Sequence, residues 1–270
     1  MSTPYISITN VKKRYPVRTG APVLALDGIT FDVAEGQFVV LVGPSGCGKS
    51  TLMQILTGIL SPSEGEVRLG GVPITAPRRD LGVVFQEPVL LPWRTVLDNV
   101  MLPAIIHGLD QANYRQRALE LLSLVKLDGC EKLYPYELSG GMQQRVAIAR
   151  ALINDPALIL MDEPFGALDA LTREEMNIEL LGIWARAKKT IVLITHSITE
   201  AVSLADRVVV LSARPGKVLD TIDVQLPRPR TLDMISTPEF AVAAARIRAH
   251  LMARPLSVTA ASVAAGGISG

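Results

Sequence analysis

The chain has 270 residues, 49% of them apolar and 20% charged, with a formal net charge of +1. This balance argues for a folded globular protein with one large core or two modest ones. The near-neutral charge excludes a global basic field directed at nucleic acid. No apolar run approaches the ~18 residues of a membrane span, and Met1 to Asn10 lacks the charge and apolar order of a signal peptide. The mean hydropathy is nevertheless positive, so any membrane association is expected to come through a partner protein. The two cysteines, Cys47 and Cys130, have no Cys or His at metal-ligand spacing and are read as free thiols.

Ile6–Thr9 and Gly28–Val33 alternate apolar and polar residues, as half-buried antiparallel strands do. Phe38–Val42 is fully apolar and reads as a buried strand. It runs into Gly43-Pro44-Ser45-Gly46-Cys47-Gly48-Lys49-Ser50-Thr51, which fits G-x-x-x-x-G-K-[ST] between a strand and a helix. The glycines let backbone N–H groups turn toward phosphate oxygens, and the following helix start adds a partial positive charge. Lys49 can reach the β/γ-phosphates and the Ser50 hydroxyl can ligate Mg²⁺. Cys47 fills a variable position of this loop and is given no chemistry of its own.

Gly65–Gly71 reads as a short strand ending in a turn. Leu81–Phe85 is apolar and stops at Gln86, before a loop stiffened by Pro88 and Pro92. From there to about Asp155 the pattern is helical. Ala118, Leu119, Leu121, Leu122 and Val125 share one helix face, and a second helix is expected from Ser139 to Asn154. Strand character returns at Ala157–Met161. Thr172 with Glu175 predicts a capping box for a helix to about Ala187. Thr190–Thr195 is the next strand, Ser197 with Glu200 caps a short helix, and Arg207–Leu211 and Lys217–Val224 follow. Leu226–Arg230 reads as a linker. Residues 237–253 predict a helix with Phe240, Ala244, Ile247 and Leu251 on one face, and residues 257–270 a disordered tail. Strands alternating with helices imply an α/β fold with a parallel sheet covered on both faces, interrupted by a helical insertion at 87–156.

Two further strings carry chemistry. Leu138-Ser139-Gly140-Gly141-Met142-Gln143 opens a predicted helix, so Ser139, Gly140 and Gly141 form a second anion site. Leu158-Ile159-Leu160-Met161-Asp162-Glu163 delivers two carboxylates at the carboxyl edge of a strand, where α/β sheets bind ligands. Asp162 is suited to hold Mg²⁺ through water, and Glu163 to position or deprotonate an attacking water.

With these strings in place the chain resembles the ATP-binding cassette (ABC) ATPases over about residues 5–225. Leu138–Gln143 resembles their signature motif and Leu158–Glu163 their Walker B motif with its catalytic glutamate. Tyr15 resembles the aromatic that stacks on adenine. Gln86 resembles the Q-loop glutamine at the metal and γ-phosphate, Asp169 the D-loop aspartate, and His196 the switch histidine. The resemblance implies a P-loop NTPase with a RecA-like parallel core, an antiparallel β subdomain and an inserted helical subdomain. It places the ATPase domain at 5–226 and a C-terminal linker and helix at 227–256.

The resemblance further implies Mg²⁺-dependent ATP hydrolysis by a head-to-tail homodimer, with Ser139 and Gly141 completing the site of the opposing subunit. One cassette without a membrane span resembles the separate ATPase subunit of bacterial importers. Such a subunit sits on the cytoplasmic face of the cell membrane, against permease subunits reached through Gln86–Val100. A periplasmic or lipid-anchored solute-binding protein is an indirect partner, and no nucleic-acid partner is implied. Leu-Pro-Trp at 91–93, Asp-Asn-Val at 98–100 and Leu-Pro-Arg-Pro-Arg at 226–230 resemble the nitrate/sulfonate/taurine/bicarbonate importer group, so a small anion is the expected solute. Importers of thiamine-precursor pyrimidines share the Leu-Pro-Trp loop and stay open as an alternative. A soluble ABC ATPase acting on nucleic acid or ribosomes is less favoured, because no long coiled coil, hook or second cassette is seen.

Overall fold

A computed structural model describes residues 4–252. The tail expected at 257–270 lies outside the described residues. Two sheets organise the chain. The larger contains β3 (Phe38–Val42), β6 (Leu81–Val84), β7 (Leu158–Asp162), β8 (Thr190–Thr195), β9 (Arg207–Leu211) and β10 (Val218–Asp223), in the order β10-β9-β3-β8-β7-β6. All neighbours are parallel except β10 on β9. The smaller sheet is antiparallel, with the order β2-β1-β4-β5, from β1 (Ile6–Tyr15), β2 (Val23–Val33), β4 (Glu64–Leu69) and β5 (Val72–Pro73).

The apolar runs explain the layering. β3 and β8 are buried at every residue, as strands covered on both faces must be. Successive side chains of β3 point to opposite faces and feed two cores. Phe38, Val40 and Val42 join the core beneath the helices α2 (Val96–Ile106), α3 (Gln111–Leu124), α4 (Gly140–Leu152) and α5 (Ala170–Ala187). Val39 and Leu41 join Ile6, Ile8, Leu26 and Leu52, between the smaller sheet and α1 (Lys49–Leu56).

Three local expectations change. The helix expected to be capped by Thr172 starts a turn earlier. Asp169 is its N-cap, accepting from the Thr172 amide at 3.1 Å. Ser197 does cap α6 (Ile198–Leu204), but Glu200 turns its carboxyl inward instead of completing the box. Burial holds that carboxyl above its usual pKa, partly offset by Thr195 and Arg173. The strand expected at Ile6–Thr9 continues to Tyr15, because bulges at Thr9–Val11 and beyond let it follow β2 while breaking the alternation.

Leu226–Arg230 is no loose tether. Arg230 is buried, and its Nη1 donates to Val202 O, Ser203 O and Ala205 O at 2.7–3.0 Å, filling the carboxyl end of α6. Arg228 pairs with Asp206 at 2.7 Å and lies 4.1 Å from the Trp184 ring centroid. The chain then enters α7 (Pro238–Met252), which buries Phe240, Ala243 and Ile247.

Candidate functional site

The loop after β3 is a tight cradle. Gly46 and Gly48 have φ of +74° and +101°, the left-handed region glycine tolerates. A Cβ on Gly48 would lie 2.6 Å from Leu26 Cδ2 and 3.0 Å from Ala25 O, so a larger residue is also excluded by space. Gly48 opens α1 without a side-chain cap, leaving the first helical N–H groups available to an anion. Lys49 is only 6% exposed, and its ammonium donates to Gly43 O at 2.8 Å and Pro44 O at 3.1 Å. Cys47 is fully buried in the core between the smaller sheet and α1, and burial pushes its thiol above the usual range although Lys49 opposes this. The thiol is therefore a packing group. The Cys47 amide donates to Pro44 O at 3.3 Å, closing the turn.

β7 brings its carboxylates to the same sheet edge. Asp162 is half-buried. Burial raises its pKa, the Ser50 hydroxyl lowers it, neighbouring Glu163 raises it and Lys49 lowers it. Glu163 has a φ of +44°, a strained conformation for a residue with a side chain, and its amide donates to Ile194 O at 2.8 Å. Its Oε2 lies 2.9 Å from His196 Nδ1 at the end of β8. An ionised carboxylate can only accept, so Nδ1 carries a proton in this contact, and Nε2 faces away from Glu163. Gln86 follows β6. Its Nε2 and the Glu163 carboxylate would be 3.2 and 3.6 Å from a Cβ on Gly166, so glycine there lets the 165–168 loop close on both.

Ser45, Gly46, Gly48, Lys49, Ser50, Thr51, Glu163 and Arg214 line one cleft of about 290 Å³. Tyr15 stands beside it, with its Oη 3.3 Å from Thr51 Oγ1. Ser139, Gly140 and Gly141 do not line this cleft. Ser139 caps α4 by accepting from the Met142 amide at 3.3 Å, and its glycines pack near Leu168 and Thr172. One chain thus brings together the first phosphate loop, both carboxylates and the histidine, but leaves the second anion site elsewhere. Asp169 lies by that second site, its pKa held low by hydrogen bonds from Thr172. Among the described residues no group of three acidic, His or Cys side chains could hold a metal unaided. Asp162 beside Ser50 can hold one where phosphate oxygens supply further ligands.

Several buttresses escaped the sequence reading. Arg173 donates to Phe165 O at 3.2 Å and Leu168 O at 2.8 Å, pinning the loop that touches Gln86 and Glu163. Gln144 donates to Phe85 O at 3.1 Å, and Arg150 to Val89 O at 2.8 Å and Pro88 O at 2.6 Å. Fully buried Asn99 accepts from the Leu91 amide at 2.7 Å, and its own amide lies within 3.1 Å of the carbonyls of Leu91, Arg94 and Thr95. The 86–95 loop is thus fixed from α2 and α4, and it presents Trp93 with 71% of its surface exposed. Only Asn99 and Gln144 carried a sequence signal, a polar residue at a buried position of an apolar helix face.

Comparison with known proteins gives a consistent result. The ABC transporter family model matches residues 26–166. The aliphatic sulfonates import ATP-binding protein of Bacillus cereus is 46% identical over 87% of this chain and 92% of its own length. The taurine import ATP-binding protein of Rhizobium johnstonii is 48% identical, covering 88% and 92%. The ATP-binding cassette MJ0796, solved as a dimer in a post-hydrolysis state bound to ADP and Pi, is 35% identical at a TM-score of 0.71. That similarity covers 82% of this chain and 100% of the solved one.

Proposed function

The chain belongs to the ABC transporter family, and from that premise we propose that it is the ATP-hydrolysing subunit of an importer, working as a dimer on a separate permease. The observation that carries this reading is the Glu163–His196 pair, 2.9 Å apart, on the cleft formed by Lys49 and the phosphate loop. A carboxylate at that position can orient and deprotonate a water in line with a terminal phosphate. Its strained backbone and the hydrogen bond from His196 fix its direction. With Nδ1 donating to Glu163, His196 Nε2 is the atom that meets the γ-phosphate, and it donates to a phosphate oxygen when it too carries a proton.

Lys49 and the α1 amides bind the phosphates, and Tyr15 offers its ring to adenine. Ser50, Asp162 and Gln86 would hold Mg²⁺. The half-buried Asp162 carboxylate, next to a hydroxyl and a second carboxylate, fits a cation better than it fits isolation. Bound with the nucleotide, Mg²⁺ supplies neutralisation of phosphate charge.

Ser139 and Gly141 lie outside the cleft of their own chain. The proposal is therefore that they close the cleft of a second copy, in a two-fold head-to-tail dimer. The dimeric state of MJ0796 supports this. The stiff 86–95 loop with exposed Trp93 is proposed to dock into the permease, and that docking would hold the subunit at the cytoplasmic face of the membrane. The sulfonate and taurine relatives support a small anion as the solute.

The test is reconstitution with the permease expressed from the same genome and its solute-binding protein in ATP-loaded vesicles. Uptake of radiolabelled taurine or an alkanesulfonate that ends in the Glu163→Gln variant supports the reading. A stable complex with DNA or ribosomes, and none with a permease, contradicts it.

A further inference from the structure

We propose that Arg214, in the turn between β9 and β10, is a ligand for the nucleotide's phosphate chain, a second cation working beside Lys49. The inference rests on the reading that the cleft binds ATP. Arg214 lines the same cleft as Ser45, Gly46, Lys49, Ser50 and Glu163. Its exposed guanidinium is available. The one acid that lines the cleft with it, Glu163, is engaged by His196 at 2.9 Å, and its basic neighbour Lys217 is paired with Asp27 at 2.8 Å.

The turn that carries Arg214 is stiff and built onto the cradle. The Ser212 amide donates to Lys217 O at 2.9 Å, the Ser212 hydroxyl to Pro215 O at 2.8 Å, and the Lys217 amide back to that hydroxyl at 2.9 Å. The Gly216 amide donates to Ala25 O and Gly216 O accepts from the Asp27 amide, both at 2.9 Å, which ties the turn to β2. A Cβ on Gly216 would stand 2.2 Å from Cys47 O, so the turn's backbone lies against the phosphate loop itself. Arg214 is two residues from that contact. The backbone that carries it is ordered before the nucleotide arrives, so binding has only the Arg214 side chain left to order.

The sheet order sets which side it serves. β9 and β8 flank β3 on opposite sides, with β7 beyond β8. A phosphate chain lying over the loop after β3 then has Glu163 and His196 on one flank and Arg214 on the other. Charge gives the reason for the residue type. Asp162 and Glu163 are two carboxylates near a polyanion, and the Lys49 ammonium is shared with two loop carbonyls. A guanidinium offsets the excess negative charge and can grip two phosphate oxygens with its planar fork. From the flank away from the attacking water, it contributes to binding more than to the bond-breaking step.

The test compares the full chain with its Arg214→Ala and Arg214→Lys variants. ATP, ADP and AMP binding are measured by calorimetry, and hydrolysis by steady-state kinetics. Arg214→Ala is expected to weaken ATP and ADP about tenfold and to leave AMP unchanged, with KM for ATP rising more than kcat falls. Arg214→Lys is expected to recover part of the loss. Unaltered ATP affinity in a folded Arg214→Ala variant overturns the proposal. So does an effect confined to ATP-dependent dimerisation, which assigns Arg214 to the second copy instead. A wild-type chain that binds no ATP overturns the ATP reading itself, a result separate from Arg214→Ala matching an ATP-binding wild type.

Discussion

His196 Nδ1 lies 2.9 Å from Glu163 Oε2, across the carboxyl ends of two adjacent parallel strands. The register that pairs Asp162 with Ile194 places Glu163 one residue and His196 two residues beyond the paired positions, so the pair is a product of strand alignment. His196→Ala is expected to lower ATP hydrolysis by roughly 10²–10³-fold, by freeing the Glu163 carboxylate and removing a phosphate contact. ATP affinity should change far less. Steady-state rates and nucleotide binding on the same preparation check this, and a rate within twofold of wild type sinks the role given to the pair.

Asp162 illustrates a site held against stability. Burial holds its pKa above the usual carboxylate range. The folded protein thus keeps a proton that the unfolded chain has lost, and this group's contribution to stability falls as pH rises through that window. Asp162→Asn is expected to raise Tm by about 2–4 °C at pH 7.5, with the gain shrinking toward pH 4, while hydrolysis is lost. Thermal melts of the nucleotide-free protein at the two pH values decide the matter. No gain at pH 7.5 means that the carboxylate is not strained.

Arg230 is the clasp of the C-terminal segment. Burial brings its pKa down to about 10, so it stays charged at neutral pH against three carbonyls at the end of α6. Arg230→Ala leaves those carbonyls without their donor and is expected to cost about 2–4 kcal/mol. Urea denaturation followed by Trp184 fluorescence measures it. A loss under about 0.5 kcal/mol would return the segment to the status of a tether.

The 86–95 loop separates surface from support. Trp93→Ala, at a side chain 71% exposed, is expected to leave the melting temperature unchanged and to abolish stimulation of hydrolysis by the permease. Asn99→Ala, at a fully buried side chain, is expected to destabilise the fold by about 1–3 kcal/mol. The reverse pattern in melts and stimulated rates would place Trp93 in the fold and Asn99 at the interface.

The parts of this account legible in the sequence are those in which one short string specifies one local geometry. Phe38–Thr51 could only be a buried strand, a glycine turn and a helix start, and Leu158–Glu163 a buried strand ending in acids. The parts that were not legible depend on partners distant in sequence. Arg228 and Arg230 sit among prolines and resemble a linker until Asp206, Trp184 and the α6 carbonyls, more than 20 residues away, are brought to them. Arg173 and Arg150 gave no sign of their role, since main-chain acceptors at Phe165 and Pro88 leave no mark in side-chain pattern. The cap of α5 was misplaced because Thr172-x-x-Glu175 and Asp169-x-x-Thr172 are both plausible starts. The Leu168 amide donates to Phe165 O and Asp169 accepts from the Thr172 amide, which gives the earlier start.

The proposal that one chain holds half a site and a second copy completes it rests on Ser139 and Gly141 lying outside the cleft of their own chain. It is tested most directly by light scattering on the Glu163→Gln variant with and without ATP. ATP is expected to double the mass from the 29.0 kDa of one chain, and adding Ser139→Arg to prevent the doubling while the monomer still binds ATP. A monomer that stays single with saturating ATP, or a dimer indifferent to Ser139→Arg, would contradict it.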